Sequence, residues 1–477
     1  MELLAALVII PLTMACASLL VKDFKLLGTL VAIAMVLNLI ATAYIVLPMI
    51  IYPGDLYKLI AGLQIDRVSA IFVLLTASVS ALTATHSYKF FQTEKKKKPG
   101  IDASHINIYY FFSLLFHVSM VFVFLCDNLG YLWICIEATT LISASLVYFY
   151  RDKHALEAVW KYLIICSVGI AFALFGTVCF YIASKYGGST DGTLAISELI
   201  AMAAQLEPTY AKLGFILCFL GYGTKAGIFP LHSWLPDAHS EAPAPASAML
   251  SGSLLNCALY AIYKISAIGI ASKDHLFCQQ LLLWAGTITV AAASLFLVRQ
   301  HGLKRLWAYS SIENVGLILV AIGLNSLPVI LLQAINHSLV KASLFLVSGD
   351  IIQKTGTKEI SEIKGLWKSM PLEATLLAIS AIAITGAPPF GAFISEWMLL
   401  AECAQQGRWL ILSVVAISLT IAFTMVTYHL GRMLSGAKKD NGPGVHRWSL
   451  SMAPICLILA SLALGLFVSP SLLELLR

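Results

Sequence analysis

The sequence predicts an all-α membrane protein with about fourteen transmembrane helices. Of its 477 residues, 59% are hydrophobic and only 12% are charged, whereas about a quarter of a soluble domain is charged. Windows of about 20 apolar residues, long enough to cross a bilayer as a helix, recur along the whole chain between short polar connections. Strands of a membrane barrel would alternate in polarity over about ten residues, and the sequence lacks that alternation.

The first apolar segment, MELLAALVIIPLTMACASLL, has neither a basic n-region nor a small-residue cleavage site. We therefore expect it to be a retained helix rather than a signal peptide. Lys and Arg concentrate in the loops after odd-numbered helices, as in the run Lys95 to Lys98. Because basic loops stay in the cytoplasm, both termini are expected outside.

The composition argues against several classes of function. The net charge of +6 is spread over many loops, so nothing indicates a nucleic-acid surface. The ten cysteines are scattered singly through apolar segments without a CxxC motif, and we expect this chain to bind no iron–sulfur cluster, flavin, nickel or nucleotide. No His or Cys spacing fits a zinc site, and no metal is expected.

Two of the predicted spans are interrupted by glycine and proline. The first contains GYGTKAGIFP, residues 221–230, and the second contains ITGAPPFGAFISEWMLL, residues 384–400. Proline removes a backbone hydrogen bond, and such breaks are tolerated at membrane depth where the backbone is buried in protein or lines a wet cavity. Ordinary helix bending explains a single break; paired breaks beside ionisable residues favour a transporter with inverted repeats.

Ionisable residues lie inside apolar spans, where each costs at least about 2.5 to 3.5 kcal/mol. They are Glu137, Lys161, Lys225, Glu313, His337, Lys341 and Glu396. Gln333, His337 and Lys341 follow an i, i+4, i+8 spacing and share one helical face. Desolvation brings the pKa of a lysine and that of a carboxyl group toward neutrality, and histidine titrates there already. This set of residue types therefore predicts a proton relay.

Structural alternatives remain for individual residues. Glu137 and Lys225 form a static buried ion pair in one alternative, and Lys161 extends toward the cytoplasmic interface in another. The neighbouring serines and asparagine offer a structural role for Glu313. In HSWLPDAH, residues 232–239, His232 and His239 suit a turn or interfacial role as well as proton transfer.

At these residues the sequence resembles the antiporter-like membrane subunits of respiratory complex I, energy-converting hydrogenases and Mrp-type cation/proton antiporters. The resemblance covers nearly the whole chain. It implies that Glu137 on helix 5 faces Lys225 on a broken helix 7, with Lys161 on helix 6. HSLVKASLFLVSG resembles the helix 11 motif, which implies a central relay of His337 and Lys341, and GAPPFGAFISE implies that Glu396 on a broken helix 12 is the terminal group.

Within this family, GYGTKAGIFPLHSWLPDAHSEAPAPASAMLSGSLLNCALYAI most resembles the hydrogenase-4 component F type. Helix 8 departs from several complex I subunits, which carry a histidine or lysine where this chain has Ser251. Water held by Ser251, Ser253 and Asn256 is therefore expected to carry the proton there. His232, Ser251, Asn256, Glu313 and Gln333 make up this secondary polar path.

The resemblance also implies a domain organisation. We expect a single membrane domain over residues 1–477, with helices 1–3 in residues 1–107 and helix 14 in residues 447–477. Helices 4–8 in residues 108–270 and helices 9–13 in residues 277–434 are expected to form two inverted five-helix repeats.

The expected function is proton translocation within a membrane-bound oxidoreductase complex of the hydrogenase-4 or formate hydrogenlyase type, in a bacterial or archaeal cell membrane. Redox cofactors are expected in partner subunits. Alternatives are a Mrp-type Na⁺/H⁺ antiporter, a subunit of a complex I-type NADH-quinone oxidoreductase, and a proton-coupled partner of inorganic-carbon uptake. A further alternative makes the chain part of an enzyme's quinone pocket. A passive scaffold is the remaining alternative.

Overall fold

Helices make up most of the computed structural model, which describes residues 2–52, 57–60, 62–98, 100–188, 191–436 and 448–468. Up to residue 271 they are α1 (Glu2–Ser18), α2 (Phe24–Ile51), α3 (Arg67–Lys97), α4 (Ala103–Leu125), α5 (Leu129–Val147), α6 (Lys153–Tyr186), α7 (Ile196–Ala201), α8 (Pro208–Ala226), α9 (Trp234–Glu241), α10 (Ala244–Met249) and α11 (Leu255–Ala271). The others are α12 (His275–Leu297), α13 (Leu303–Gly323), α14 (Leu327–Thr355), α15 (Leu366–Ser369), α16 (Pro371–Ile384), α17 (Gly391–Gln405), α18 (Trp409–Leu434) and α19 (Trp448–Leu466). Of the segment expected to hold helix 14, residues 447 and 469–477 lie outside the described residues.

Acidic and amide side chains set where several of these helices begin. Asp66 accepts a 2.7 Å hydrogen bond from the backbone N–H of Ser69 at the start of α3, and Asp152 does the same for Ala155 at the start of α6. Such caps satisfy N–H groups that have no partner within the helix. The connections therefore fix the register at which each helix enters the bundle.

A small β-hairpin departs from the all-α expectation. Strands β1 (Tyr57–Ile60) and β2 (Leu63–Ile65) pair antiparallel in the connection between α2 and α3. Gly62 lies at φ +82° in the turn, a conformation that glycine adopts without the steric cost of a Cβ. The predicted class holds for the rest of the described structure.

Ten helices of the described structure are long and apolar enough to cross a membrane. In two cases the span includes more than one element: a 3₁₀ turn, Tyr148–Tyr150, extends α5, and a π-helical turn, Leu250–Leu254, joins α10 to α11. Shorter apolar segments lie at Leu7–Ser18, Pro371–Ile384 and Met452–Leu466. The chain is thus a multi-pass membrane protein.

Both predicted interruptions separate two helices. The first runs from Gly227, in the left-handed conformation at φ +80°, to Ser233 between α8 and α9. Trp234 ties the two helices together, because its indole N–H donates a 2.9 Å hydrogen bond to the Thr224 carbonyl. The second interruption separates α16 from α17 and includes Gly386 at φ +68°. Gly227 and Ile228 of the first break are buried, whereas Pro388 and Pro389 of the second break are exposed.

Small residues let α6 and α8 approach closely. A Cβ added at Gly176 would lie 2.7 Å from the backbone nitrogen of Cys218, and one added at Gly221 would lie 2.6 Å from the Gly169 carbonyl oxygen. Glycines at membrane-helix interfaces allow this kind of backbone contact. The close contact holds the end of α8, and with it Lys225, against α6.

Candidate functional site

Lys225, in the last turn of α8, is completely buried. Its ammonium group donates hydrogen bonds to Thr140 Oγ1 at 2.9 Å and to the Tyr162 hydroxyl at 2.5 Å. It also lies 4.6 Å from the centre of the Tyr162 ring and 5.9 Å from that of Trp234. Hydroxyl oxygens and aromatic faces therefore stabilise this charge at short range.

Glu137 lies on α5, half-buried, and accepts a 2.9 Å hydrogen bond from the Ser167 hydroxyl through Oε1. Its Oε2 atom is buried without a hydrogen-bond partner. Glu137 is one of the charged groups that act on Lys225, yet among the ion pairs of the described residues none joins the two. The static ion pair considered from the sequence is therefore absent from this conformation.

Lys341 lies at the centre of α14 and is completely buried. Its ammonium group donates a 2.9 Å hydrogen bond to the Trp307 carbonyl on α13. The Ser311 hydroxyl donates to the same carbonyl at 3.0 Å and lies 2.9 Å from the Ser251 hydroxyl. Ser251 belongs to the π-helical turn, a distortion often found at functional sites. These contacts connect the π-helical turn between α10 and α11 to Lys341.

His337 lies one turn before Lys341 and is 1% exposed. Both of its ring nitrogens are buried without a hydrogen-bond partner in the described structure. Glu313 on α13 is 4% exposed, and it is the charged group that acts on both Lys341 and Glu396. The hydrogen bonds of the neighbouring Ser311 and Asn314 go to other groups.

Glu396, in the first half of α17, packs against the second helix break. It is 7% exposed, and a Cβ added at Gly386 would lie 1.9 Å from its Oε2 atom. Glycine is thus required at position 386 both for its backbone conformation and for the space that the carboxylate occupies. The break therefore positions this carboxylate.

Amide and hydroxyl groups fill the spaces beside these charges. Gln333 donates to Asn314 Oδ1 at 2.8 Å and accepts from the Ser395 hydroxyl at 2.5 Å, next to Glu396. Asn256 on α11 donates to the Ser338 hydroxyl at 2.6 Å. Gln333 thus joins α13, α14 and α17, and Asn256 joins α11 to α14.

Lys161 and His232 lie apart from this centre. The Lys161 side chain is 46% exposed and pairs with Glu157 at 2.6 Å and Asp237 at 3.1 Å, and Asp237 also binds Arg305. His232 lies in the first break, 8% exposed, with its ring centre 5.4 Å from that of Phe229. In the described structure, neither residue is hydrogen-bonded to Lys225 or Lys341.

Several further buried polar groups were not predicted from the sequence, because their residue types are common in membrane helices. Tyr162 directly follows Lys161 but contacts Lys225 instead of Asp237. Its hydroxyl also lies 2.6 Å from that of Ser143. His86 on α3 pairs with Asp350 on α14 at 3.2 Å, and His117 binds Ser80 and Asn38. Each of these contacts joins two different helices, so the sequence could show only that a polar residue interrupts an apolar segment.

We define the buried row as Lys225, His337, Lys341, Glu313 and Glu396. Its members come from four helices, α8, α13, α14 and α17, and each is at most 7% exposed. Among the described residues, none of the five takes part in an ion pair. In the part of the chain that the structure describes, no three His, Cys, Asp or Glu side chains lie close enough together to hold a metal ion.

Comparison with known proteins identifies the family. The family described as "NADH:quinone oxidoreductase/Mrp antiporter, TM" matches residues 126–424, well over half of the chain. The chain belongs to this antiporter family. The match begins at the end of α4 and ends within α18, so it contains every member of the buried row.

Individual relatives support the same assignment. A hydrogenase-4 component F homolog of Methylacidiphilum infernorum is 35% identical over 419 residues, which cover 86% of each chain. Hydrogenase-4 component B of Escherichia coli is 32% identical over 350 residues, covering 70% of this chain but only 50% of that longer protein. A chain of the membrane-bound sulfane sulfur reductase, an archaeal respiratory membrane complex, superposes with a TM-score of 0.88 at 25% identity, covering 100% of this chain and 96% of that one. This antiporter-family chain thus shares both sequence and fold with membrane subunits of multi-subunit complexes.

Proposed function

We propose that this chain translocates protons as a subunit of a membrane-bound respiratory complex of the hydrogenase-4 or formate hydrogenlyase type. The observation that carries the proposal is the buried row, five titratable side chains enclosed by the bundle without an ion-pair partner among the described residues. A buried ionisable group in a membrane protein is costly and usually functional. The similarity to hydrogenase-4 component F supports the choice of complex.

The buried row and Glu137 together form a relay with two parts that have separate roles. In the first part, Glu137 senses a neighbouring subunit and Lys225 acts as the switch. A carboxylate that approaches to about 4 Å stabilises an ammonium group by roughly 4 kcal/mol at an effective dielectric near 20. Movement of Glu137 toward or away from Lys225 therefore changes whether the lysine keeps its proton.

The second part carries the proton through α14 to α17. Lys341 and His337 are the central relay, Glu313 lies between them and the terminal Glu396, and Gln333 orders the space beside Glu396. The contact from Ser251 through Ser311 to the Trp307 carbonyl reaches Lys341, and in this proposal water carries the proton between Lys225 and Ser251. Asn256 and His232 contribute to the same polar path. Lys161 influences the charge at its exposed end.

We infer fourteen membrane spans for the whole chain. The ten long spans are joined by α1, by α8 together with α9, by α16 together with α17, and by α19. Helices 4–8 within residues 108–270 and helices 9–13 within residues 277–434 then make two inverted repeats. In support of this division, each five-helix repeat has its broken span in fourth place, namely α8 with α9 in the first repeat and α16 with α17 in the second. Residues 1–107 and 447–477 hold the remaining spans, with both termini outside a bacterial or archaeal cell membrane.

The electron chemistry belongs to partner subunits in this proposal. The archaeal sulfane sulfur reductase to which this chain is similar is itself a respiratory membrane complex. We therefore propose that other membrane subunits flank the chain and that redox cofactors reside in its partners. Redox-driven movement of those partners reaches the buried row through Glu137.

Affinity purification of the tagged chain in mild detergent tests the assignment. We expect hydrogenase subunits to copurify, and we expect proteoliposomes containing the complex to accumulate protons equally well with and without sodium. A companion set restricted to antiporter subunits, or a proton flux that requires sodium, would contradict the proposal and favour a Mrp-type antiporter.

A further inference from the structure

A cavity of about 390 Å³ opens among the ends of α3, α13 and α14. We call it the lysine cavity, since Lys97, Lys98, Lys304, Lys354 and Lys358 line it. The spans formed by α13 and α14 are each 94% buried in the protein. Because charged side chains line the cavity, water rather than lipid is its natural occupant.

Lys304 reaches from this cavity into the protein. It is 7% exposed, and its ammonium group donates a 2.6 Å hydrogen bond to the Ala242 carbonyl. A lysine ammonium carries three donors, so this carbonyl leaves two of them for other acceptors. Ala242 caps the C-terminus of α9, and Lys304 is thereby attached to the same short helix that carries His239.

His239 directly precedes Ser240, which lines the lysine cavity. It is 1% exposed, and its Nδ1 atom is buried without a hydrogen-bond partner in the described structure. Its ring stacks on that of Phe345 with centroids 4.7 Å apart. A buried imidazole nitrogen without a partner is costly, so this position calls for an exchangeable proton or a water molecule.

The stacking partner places His239 beside the central relay. Phe345 lies four residues after Lys341 on α14, hence one turn away on the same helical face. Lys304 and Lys341 are the two charged groups that act on His239. The imidazole is therefore close to both the lysine that lines the cavity and the lysine at the centre of the row.

We infer that the lysine cavity is the aqueous mouth of the buried row, and that Lys304 and His239 carry protons between it and Lys341. This inference rests on the proposed function. The Lys304 ammonium gives a proton to one ring nitrogen of His239, and the other ring nitrogen gives its proton to the neutral amine of Lys341. A hydronium ion in the cavity then returns a proton to Lys304, and Lys341 passes its proton on along the buried row. Rotation of the imidazole ring restores the starting tautomer of His239 before a second transfer.

Two variants of the intact complex test the route, His239→Gln and Lys304→Met. Proton accumulation in proteoliposomes is followed with a pH-sensitive dye and divided by the rate of electron transfer. We expect this ratio to fall more than about tenfold in both variants, which is the loss typical of a missing proton carrier. His117→Gln is the matched control, since His117 is equally buried but binds Ser80 and Asn38 elsewhere, and it should stay within about twofold of the unmodified complex.

Chemical rescue separates a proton carrier from a packing residue. In His239→Ala, added imidazole should restore proton translocation, because the neighbouring cavity admits a small soluble base. A packing role predicts loss without rescue, and that result would overturn the inference, as would full translocation in His239→Gln and Lys304→Met. Lys341→Ala then shows whether the inference fails alone or together with the proposed function. If Lys341→Ala abolishes translocation, the proposed function stands. If Lys341→Ala translocates protons fully, the proposed function is overturned as well.

Discussion

The ammonium group of Lys225 lies 2.5 Å from the hydroxyl oxygen of Tyr162. This tyrosine, on α6, also lies 2.6 Å from Ser143 through the same oxygen. The buried lysine is thus solvated by neutral hydroxyl groups, while the carboxylate expected to face it, Glu137, is hydrogen-bonded to Ser167. A small displacement of α5 relative to α6 would change which group Lys225 contacts.

We predict that Tyr162→Phe lowers proton translocation by about tenfold without unfolding the protein. The substitution removes one acceptor from a buried charge at a cost of about 1.5 to 3 kcal/mol, while the aromatic ring remains. Dye-based proton accumulation in proteoliposomes checks this result. Tyr222→Phe is the control, because Tyr222 is also fully buried on α8 but is not bonded to Lys225; equal losses in both variants would argue against a special role for Tyr162.

Gly386→Ala should impair both stability and translocation. The left-handed backbone costs about 1 to 2 kcal/mol for a residue with a Cβ, and the new Cβ would lie 1.9 Å from the Glu396 carboxylate. Gly407→Ala has a similar φ of +67° but no heavy atom within 4 Å of its Cβ. We expect thermal unfolding to show destabilisation in both and proton accumulation to fall only in Gly386→Ala. Normal translocation in Gly386→Ala would contradict the positioning of Glu396 by the break.

Lys161→Ala should reduce translocation much less than Lys225→Ala. The Lys161 side chain is 46% exposed and belongs to an ion cluster with Glu157 and Asp237. Such solvated pairs contribute about 0 to 1 kcal/mol. Parallel measurement of proton accumulation in the two variants checks this ranking, and equal losses would return Lys161 to the centre of the relay.

The Asp66–Lys264 pair predicts a pH-dependent stability at the start of α3. Burial works to raise the pKa of the Asp66 carboxyl, but the Lys264 ammonium 2.7 Å away and the hydrogen bonds from Ser69 outweigh it, so the pKa lies below its usual range. A lowered folded-state pKa stabilises the protein above the unfolded pKa, and this contribution is lost as pH falls through the folded value.

Asp66→Asn preserves the helix cap but removes the charge. Unfolding in detergent should show the variant about 2 kcal/mol less stable than the unmodified protein at pH 7, with the gap narrowing below about pH 4. Asp23→Asn, at an exposed cap, should show little difference at either pH. A gap for Asp66→Asn that is constant with pH would contradict the electrostatic explanation.

The sequence predicted the features that depend on local composition. Apolar windows predicted a helical multi-pass membrane protein, and ten long apolar helices of the described residues confirm that class. Glycine and proline predicted the breaks after Ala226 and Ile384, because these residues act on the backbone at their own positions. The titratable residues were identifiable because a charge inside an apolar helix stands out. Family membership followed from their order.

The contacts around these residues depend on how helices pack and could not be predicted. Tyr162, Ser143 and Thr140 are ordinary residues of apolar helices, and only the close approach of α6 to α8 turns them into ligands of Lys225. The π-helical turn at Ser251 has no sequence signal that we could identify, and the exposure of Lys161 depends on which face of α6 contacts α8. Hydrophobic periodicity is weak where most helices are apolar on every side.

The ratio of protons translocated to electrons transferred tests the relay most directly, measured in the intact complex carrying Lys225→Ala or Glu396→Ala. The relay predicts that electron transfer persists while proton translocation falls below about one tenth of its original value in each variant. An unchanged ratio in both variants would contradict the relay and leave the chain a scaffold of the same fold.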